Sequence, residues 1–259
     1  MNNYQEQYKK LLMFREKIDI NLTEKRLNAY NFFKSFNIPM DNINRNLTKS
    51  VSVYKAPLVK IHGSRMVNWP VRGKSEIYID DEFYSNPNNQ QIINCQITHE
   101  LLHTLSEYMN PLQYFMGHQM KIGGNNKLYC IYIGINEATT QLFTEMIEGK
   151  QLSPSEDYVL YPLKNVMKKV AGVVGIDKLA SQYLNHTRDF EEGFNKMTDV
   201  DFSTFASVMN DVYNLSRKQK NHDFSHIEQD VLRKRIIDLN GFADRLVMRK
   251  GRLKEIEER

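Results

Sequence analysis

The run Ile97-Thr98-His99-Glu100-Leu101-Leu102-His103-Thr104-Leu105 carries two histidines four residues apart, with a glutamate directly after the first. No Gly or Pro falls between Asn94 and Tyr108, so the spacing predicts a helix with His99 and His103 on one face. Two neutral imidazoles so placed can reach one zinc ion, a borderline-soft cation suited to nitrogen donors. Glu100 sits beside them and is not spent as a ligand, so it can act as a base toward a water at the metal. By residue frequencies alone, H-E-x-x-H arises in roughly one chain of this length in a hundred, so its surroundings must decide. Ile92, Ile93, Ile97, Leu101, Leu102 and Leu105 give the helix apolar flanks. Burying two histidines and a glutamate without partners is costly, and a metal removes that cost.

A catalytic zinc commonly has three protein ligands and one open position. The form with Gly at 106 and His at 109 is excluded, because Ser106 and Met109 stand there, and the inverted H-x-x-E-H form is absent. The remaining common solution draws a glutamate from a second helix. Gly134-Ile135-Asn136-Glu137-Ala138-Thr139-Thr140-Gln141 offers one. Asn136 reads as the N-cap and Gly149 as the stop, with Ala138, Leu142, Phe143, Met146 and Ile147 on the apolar side. Glu137 then falls in the first turn, where a carboxylate suits the helix dipole. His118 lies in the Met116–Asn126 connection and is a weak fourth candidate, since three ligands already fill a catalytic site. That connection reads as a rim or lid. His62 reads as a surface histidine, and His62 and Trp69 as lying in or near a loop between strands.

His99-Glu100-Leu101-Leu102-His103 followed by Asn136-Glu137-Ala138-Thr139-Thr140-Gln141 resembles the gluzincin metallopeptidases, which carry H-E-x-x-H on one helix and a glutamate ligand on the next, often within N-E-G-x-T-E. Ala138 replaces the usual Gly, and Gln141 stands where that string has Glu, a change that falls on the hydrogen bonding around the ligands. The resemblance covers residues 70–150 well and reaches more loosely to about 210. It implies Zn²⁺ held by His99, His103 and Glu137, Glu100 as the general base, and hydrolysis of peptide bonds in a peptide or protein substrate. It also implies a small sheet ahead of the first metal helix, whose edge strand lines the cleft, placing an extended peptide along residues 75–80. The resemblance also calls for an electrophile to steady the oxyanion, commonly a Tyr or His; Tyr129, Tyr132, Tyr158 and Tyr161 are candidates, but each singly reads as a packing tyrosine and the role is not assigned.

The elements that must position these residues read as an α+β chain. Residues 4–36 give one or two helices, and the Asn-rich stretch after Pro39, Asp41–Asn46, a loop. Between Val51 and Asp80 the period shifts towards two, the only strong evidence for a sheet, taken as small and antiparallel in type. After Gly149 the chain reads as helical, with Ser153-Pro154-Ser155-Glu156 as a capping box. Phe224–Arg259 reads as a charged helix interrupted at Asn240-Gly241. The expected organisation is an N-terminal helical segment (1–50), the catalytic subdomain with its sheet and both metal helices (51–150), a helical subdomain (151–220) and the charged helix (221–259).

A hydrophobic fraction of 41% and a charged fraction of 25% describe an ordinary globular chain, and a net charge of +4 is too mild to demand nucleic acid. No apolar run reaches membrane-spanning length. Cys95 and Cys130 form no C-x-x-C pair and read as reduced, buried thiols of a cytoplasmic protein. Two rivals stand beside the enzyme. One is a regulatory or interaction module whose zinc is structural and closed by a fourth ligand such as His118. The other is a basic nucleic-acid-associated protein acting through residues 217–259.

Overall fold

The computed structural model describes residues 3–62, 66–71, 74–109, 113–116, 119–124, 127–152, 159–220 and 224–257. The chain is α+β. It opens with α1 (Asn3–Phe14), β1 (Glu16–Ile18), α2 (Leu22–Lys34), α3 (Asp41–Leu47) and β2 (Ser50–Ala56). Then come α4 (Leu58–His62), β3 (Met66–Val71), β4 (Lys74–Asp80), α5 (Asp81–Ser85) and a single 3-10 turn, Pro87–Asn89, before the helix of the H-E-x-x-H run, α6 (Gln90–Leu105). His62 therefore ends a helix and Trp69 lies in a strand; neither is in a loop.

The first sheet has the order β1-β2-β4-β3 and is mixed: β2 and β4 run parallel, while β1–β2 and β3–β4 are antiparallel. The expected antiparallel type fails at the central pair because α4 and β3 intervene, giving the chain room to cross over. β4 alternates as the sequence predicts, yet every residue from Ser75 to Asp80 is buried, since both faces are covered. Ile77 and Ile79 pack with Val53 against Ile93 and Ile97 of α6. On the other face, Tyr78 meets Leu11 of α1 and Leu58 of α4. Asp80 ties two turns at once, its carboxylate accepting from the Val59 and Phe83 backbone N–H groups.

That second face also buries a carboxylate. Glu76 accepts from Tyr78 (2.7 Å), Arg15 (3.0 Å) and Tyr8 (3.1 Å). Burial works to raise the Glu76 carboxyl, but the hydrogen bonds from Tyr78 and Arg15, the Arg15 charge and the Tyr8 bond outweigh it and hold it below the usual carboxylate range. A depressed folded-state value means that its stabilisation is complete above the unfolded value, about 4.3, and disappears as the pH falls through the folded one. Urea unfolding of wild type and Glu76→Gln should differ by about 2 kcal/mol at neutral pH, the worth of hydrogen bonds to a charged group, and converge in acid. A gap that persists at low pH rules out this assignment.

The Asn-rich stretch expected as a loop is α3. Asn42 and Asn46 face inward because their side chains bond to distant backbone carbonyls, whereas Asp41, Asn44 and Arg45 are exposed: Asn46 donates to Leu105, the last residue of α6, and to Glu107 just past it, and Asn42 to Leu184. After α6 comes a second sheet that periodicity did not reveal, a four-stranded antiparallel meander of β5 (Glu107–Met109), β6 (Gln113–Met116), β7 (Gln119–Gly124) and β8 (Lys127–Ile131). The stretch read as a rim or lid thus contributes strands.

α7 (Ile133–Glu148) is the central helix, buried on almost every side. It starts earlier than expected. Tyr132, in the left-handed region at φ 62°, precedes it, so Asn136 lies inside the helix and Glu137 in its second turn; Gly149 does end it, at φ 64°. Its crossing with α11 (Phe202–Lys220) requires Gly134, where a Cβ would come within 2.4 Å of the Met209 carbonyl oxygen. Asn210 accepts from the Gly134 N–H there, at 2.7 Å.

Around α7 stand α8 (Tyr161–Val174), α9 (Ile176–Asn185) and α10 (Asp189–Met197), closed by α12 (His226–Glu257), and their apolar faces form one core with α2, α3 and α6. The expected capping box at 153–156 lies outside the described residues. α12 runs unbroken through Asn240-Gly241, its Leu232, Leu239, Ala243 and Leu246 buried against the bundle. No helix among the described residues is long and apolar enough to cross a membrane.

Candidate metal centre

His99 and His103 sit on successive turns of α6, and Glu137 faces them from α7. The helices are held in register from three sides. Lys25 of α2 donates to the Asn94 carbonyl and Thr98 on α6 and to Glu148 on α7, and Thr98 bonds Glu148 directly. Asn46 satisfies the end of α6. Beneath both helices lies Tyr183, fully buried, whose hydroxyl bonds Thr140 of α7 (2.9 Å) and Ser106 just past α6.

The three side chains converge. His99 Nε2 and His103 Nε2 are 3.1 Å apart; Glu137 places one oxygen 3.2 Å from the first and the other 3.5 Å from the second. Zinc–nitrogen bonds of about 2.0–2.1 Å at tetrahedral angles put donors about 3.3 Å apart, so these separations fit one small tetrahedral cation. Among the described residues this is the only group of three or more such donors gathered within ligating reach. Burial works to raise the Glu137 carboxyl, but the His103 charge and the hydrogen bonds from both imidazoles hold it far below the usual carboxylate range. It therefore stays anionic, the form a ligand requires.

The two imidazoles are oriented differently. His99 Nδ1 lies 3.1 Å from Gln141 Oε1, which can only accept, so Nδ1 donates there and Nε2 is the nitrogen turned towards Glu137 and His103. His103 Nδ1 is buried without a partner among the described residues, and its ring is set by an edge-on contact with His99 at 4.8 Å.

Glu100 is partly buried beside this group and is no member of it. Burial raises its carboxyl above the usual range, Glu137 adds to the rise, and the two imidazoles oppose it. Its backbone carbonyl accepts from Asn68 of β3 (3.1 Å), which also bonds Thr104 (3.0 Å). This contact places β3 alongside the site. β3 is an edge strand, whereas β4, the strand expected to line the cleft, is central with both neighbours paired.

Two of the tyrosines expected to assist, Tyr132 and Tyr161, are engaged elsewhere. Tyr132 packs its ring on Phe202, and burial raises its hydroxyl with Glu191 and Asp201 adding, so it faces away from the histidines. Tyr161 covers the Lys164 ammonium at 4.5 Å. Tyr158 and His118 lie outside the described residues, and of Tyr129 only the backbone position in β8 is described. Tyr213 of α11 was missed by the sequence reading. It is half-buried, and burial raises its hydroxyl, with the charges of Glu137 and Glu100 adding and Arg217 opposing. The Arg217 guanidinium stands 5.7 Å from its ring. Nothing in the sequence singles it out, since it is one apolar-face position of a helix remote in the chain.

Compared with known proteins, the chain matches no family model, no curated protein and no solved structure.

Proposed function

We propose that the chain is a zinc-dependent metallopeptidase of gluzincin type that hydrolyses peptide bonds. The observation carrying this reading is the combination of three donors at zinc-fitting separations with an adjacent carboxylate, Glu100, that is not spent as a ligand. His99, His103 and Glu137 would hold the ion. Zinc bound there would supply a Lewis acid for the scissile carbonyl and lower the pKa of a water.

The chain's own residues do the rest. Glu100 takes the proton from the attacking water and delivers it to the leaving amine, a task favoured by a carboxyl raised towards neutrality. The substrate backbone pairs with the open edge of β3, which Asn68 holds against the Glu100 turn. Tyr213 donates to the oxyanion from the α11 side. Among the described residues three donors converge, the number that leaves a position open for substrate at a catalytic zinc. The buried Cys95 thiol, raised by burial, is chemically quiet and fits a reducing compartment, so we place the enzyme in the cytoplasm, acting on peptides or proteins.

The test is the metal content of the purified chain followed by a peptide-library digest. Near-stoichiometric zinc with cleavage abolished by a chelator and restored by zinc is the expected result. A chain that takes up no zinc after reconstitution, or holds it and cleaves nothing, overturns the enzyme reading.

A further inference from the structure

β3 flanks the metal centre from the α6 side through Asn68, and α11 flanks it from the α7 side. The two helices meet where Gly134 lies against the Met209 backbone and Asn210 accepts from the Gly134 N–H. Glu137 stands about one turn after Gly134, and Tyr213 about one turn after Met209. The charges of Glu137 and Glu100 both act on the Tyr213 hydroxyl, which places that turn of α11 beside the site. One turn further along the same face is Arg217. Tyr213 is half-buried and Arg217 exposed, so the pair leads from the centre out to solvent.

The Arg217 guanidinium stands 5.7 Å from the Tyr213 ring, close enough for the aromatic face to steady it. Its neighbours have carboxylate partners: Lys218 pairs with Glu228 (3.1 Å) and Arg235 with Asp211 (3.6 Å). Among the described residues no carboxylate pairs with Arg217. The lysines that reach α6 and α7 are spent as well, Lys25 on Glu148 and Lys164 on Glu145. Arg217 is thus a cation beside the centre whose N–H fork is open to a ligand.

We propose that Arg217 is a specificity-determining residue that takes a carboxylate of the substrate, either an Asp or Glu side chain or the free C-terminus of the peptide. This deepens the metallopeptidase reading and rests on it. A planar guanidinium matches a carboxylate with two parallel hydrogen bonds, which a lysine ammonium cannot do. Four residues of helix advance about 6 Å, and extended peptide advances about 3.3 Å per residue. Arg217 therefore meets a group about two residues from the carbonyl that Tyr213 serves.

The test uses peptides that the zinc-loaded chain cleaves, each remade in matched forms. One pair carries Glu or Gln at the positions within about two residues of the scissile bond, and a second pair has a free or an amidated C-terminus. The ratio of kcat/KM within each pair is measured for wild type, Arg217→Met and Arg217→Glu, after zinc content and circular dichroism are checked.

Wild type should favour the carboxylate form of one pair by about 10-fold, the low end for a charged hydrogen bond because Arg217 is exposed. The preference should shrink as salt is raised. Arg217→Met should bring the ratio to about one, and Arg217→Glu should turn the preference towards Lys at the same position, a gain that mere damage to the fold does not produce. A preference confined to the Glu and Gln pair assigns the subsite to an acidic side chain; one abolished by amidation assigns it to the C-terminus. Cleavage with no carboxylate preference, or a preference that survives Arg217→Met, overturns this inference and leaves the metallopeptidase reading standing. A zinc-loaded wild type that cleaves no peptide overturns that reading, and this inference with it.

Discussion

Glu100→Gln is expected to leave zinc bound and to remove most of the turnover. The amide is isosteric, and Glu100 is not among the three converging donors, so the centre keeps its geometry. What is lost is the proton acceptor. General-base catalysis contributes about 10²–10⁴-fold, and at this site the same group also returns the proton to the leaving amine, so the upper end, about 10⁴-fold, is expected in kcat/KM. That is about 5 kcal/mol of barrier. A second consequence separates catalysis from structure. In the metal-free protein Glu100 is raised by burial and by the Glu137 charge, so a neutral side chain relieves both penalties. The variant should therefore be at least as stable as wild type to urea in the absence of zinc, the trade-off expected where a site is built for reactivity. Full activity in zinc-replete Glu100→Gln would remove this residue from the mechanism.

What the sequence revealed and what it concealed divide along the range of the interactions involved. The His99, Glu100, His103 constellation was legible because a helix fixes i and i+4 on one face, and Glu137 because few alternatives remained. Both depend on contacts within one element or between two consecutive helices. The start of α7 was misplaced because Asn136 resembles a cap, whereas Gly134 must lie inside the helix to let the Met209 backbone approach. α3 was read as a loop because asparagine favours turns locally, yet the side-chain NH₂ groups of Asn42 and Asn46 donate to carbonyls more than fifty residues away. α12 continues through Asn240-Gly241 because Leu239, Ala243 and Leu246 pin it, outweighing the cost of about 1 kcal/mol for a helical glycine. The alternation of β4 was correctly read, but alternation does not state a strand's neighbours. Only the crossover through α4 and β3 makes β4 central and gives the open edge to β3. Tyr213 comes within electrostatic reach of Glu137 and Glu100 from α11, a helix remote in the chain, with no counterpart in local pattern.

Glu137→Ala tests the half of the site that comes from the second helix. Losing a partner behind a ligand costs metal affinity about 10–100-fold, and losing the ligand itself must cost more, so zinc should weaken by over about 100-fold. The remaining donors are two nitrogens 3.1 Å apart, both uncharged in the ligating form. Without the carboxylate, nothing offsets the cation's charge in a buried setting, and the loss exceeds a simple count of bonds. Thermal unfolding gives a measurement independent of catalysis. At free zinc about 1,000 times the wild-type dissociation constant, binding to the folded state alone stabilises it by about 4 kcal/mol. For a chain of this size that corresponds to a rise of about 8–16 °C in Tm. Wild type and Glu100→Gln should both show the rise, since both keep the three donors, whereas Glu137→Ala should show almost none at the same zinc concentration. An equal rise in all three would mean that His99 and His103 bind the metal without α7, and Glu137 would then be a buried carboxylate neutralised by two histidines, with no part in holding a cofactor.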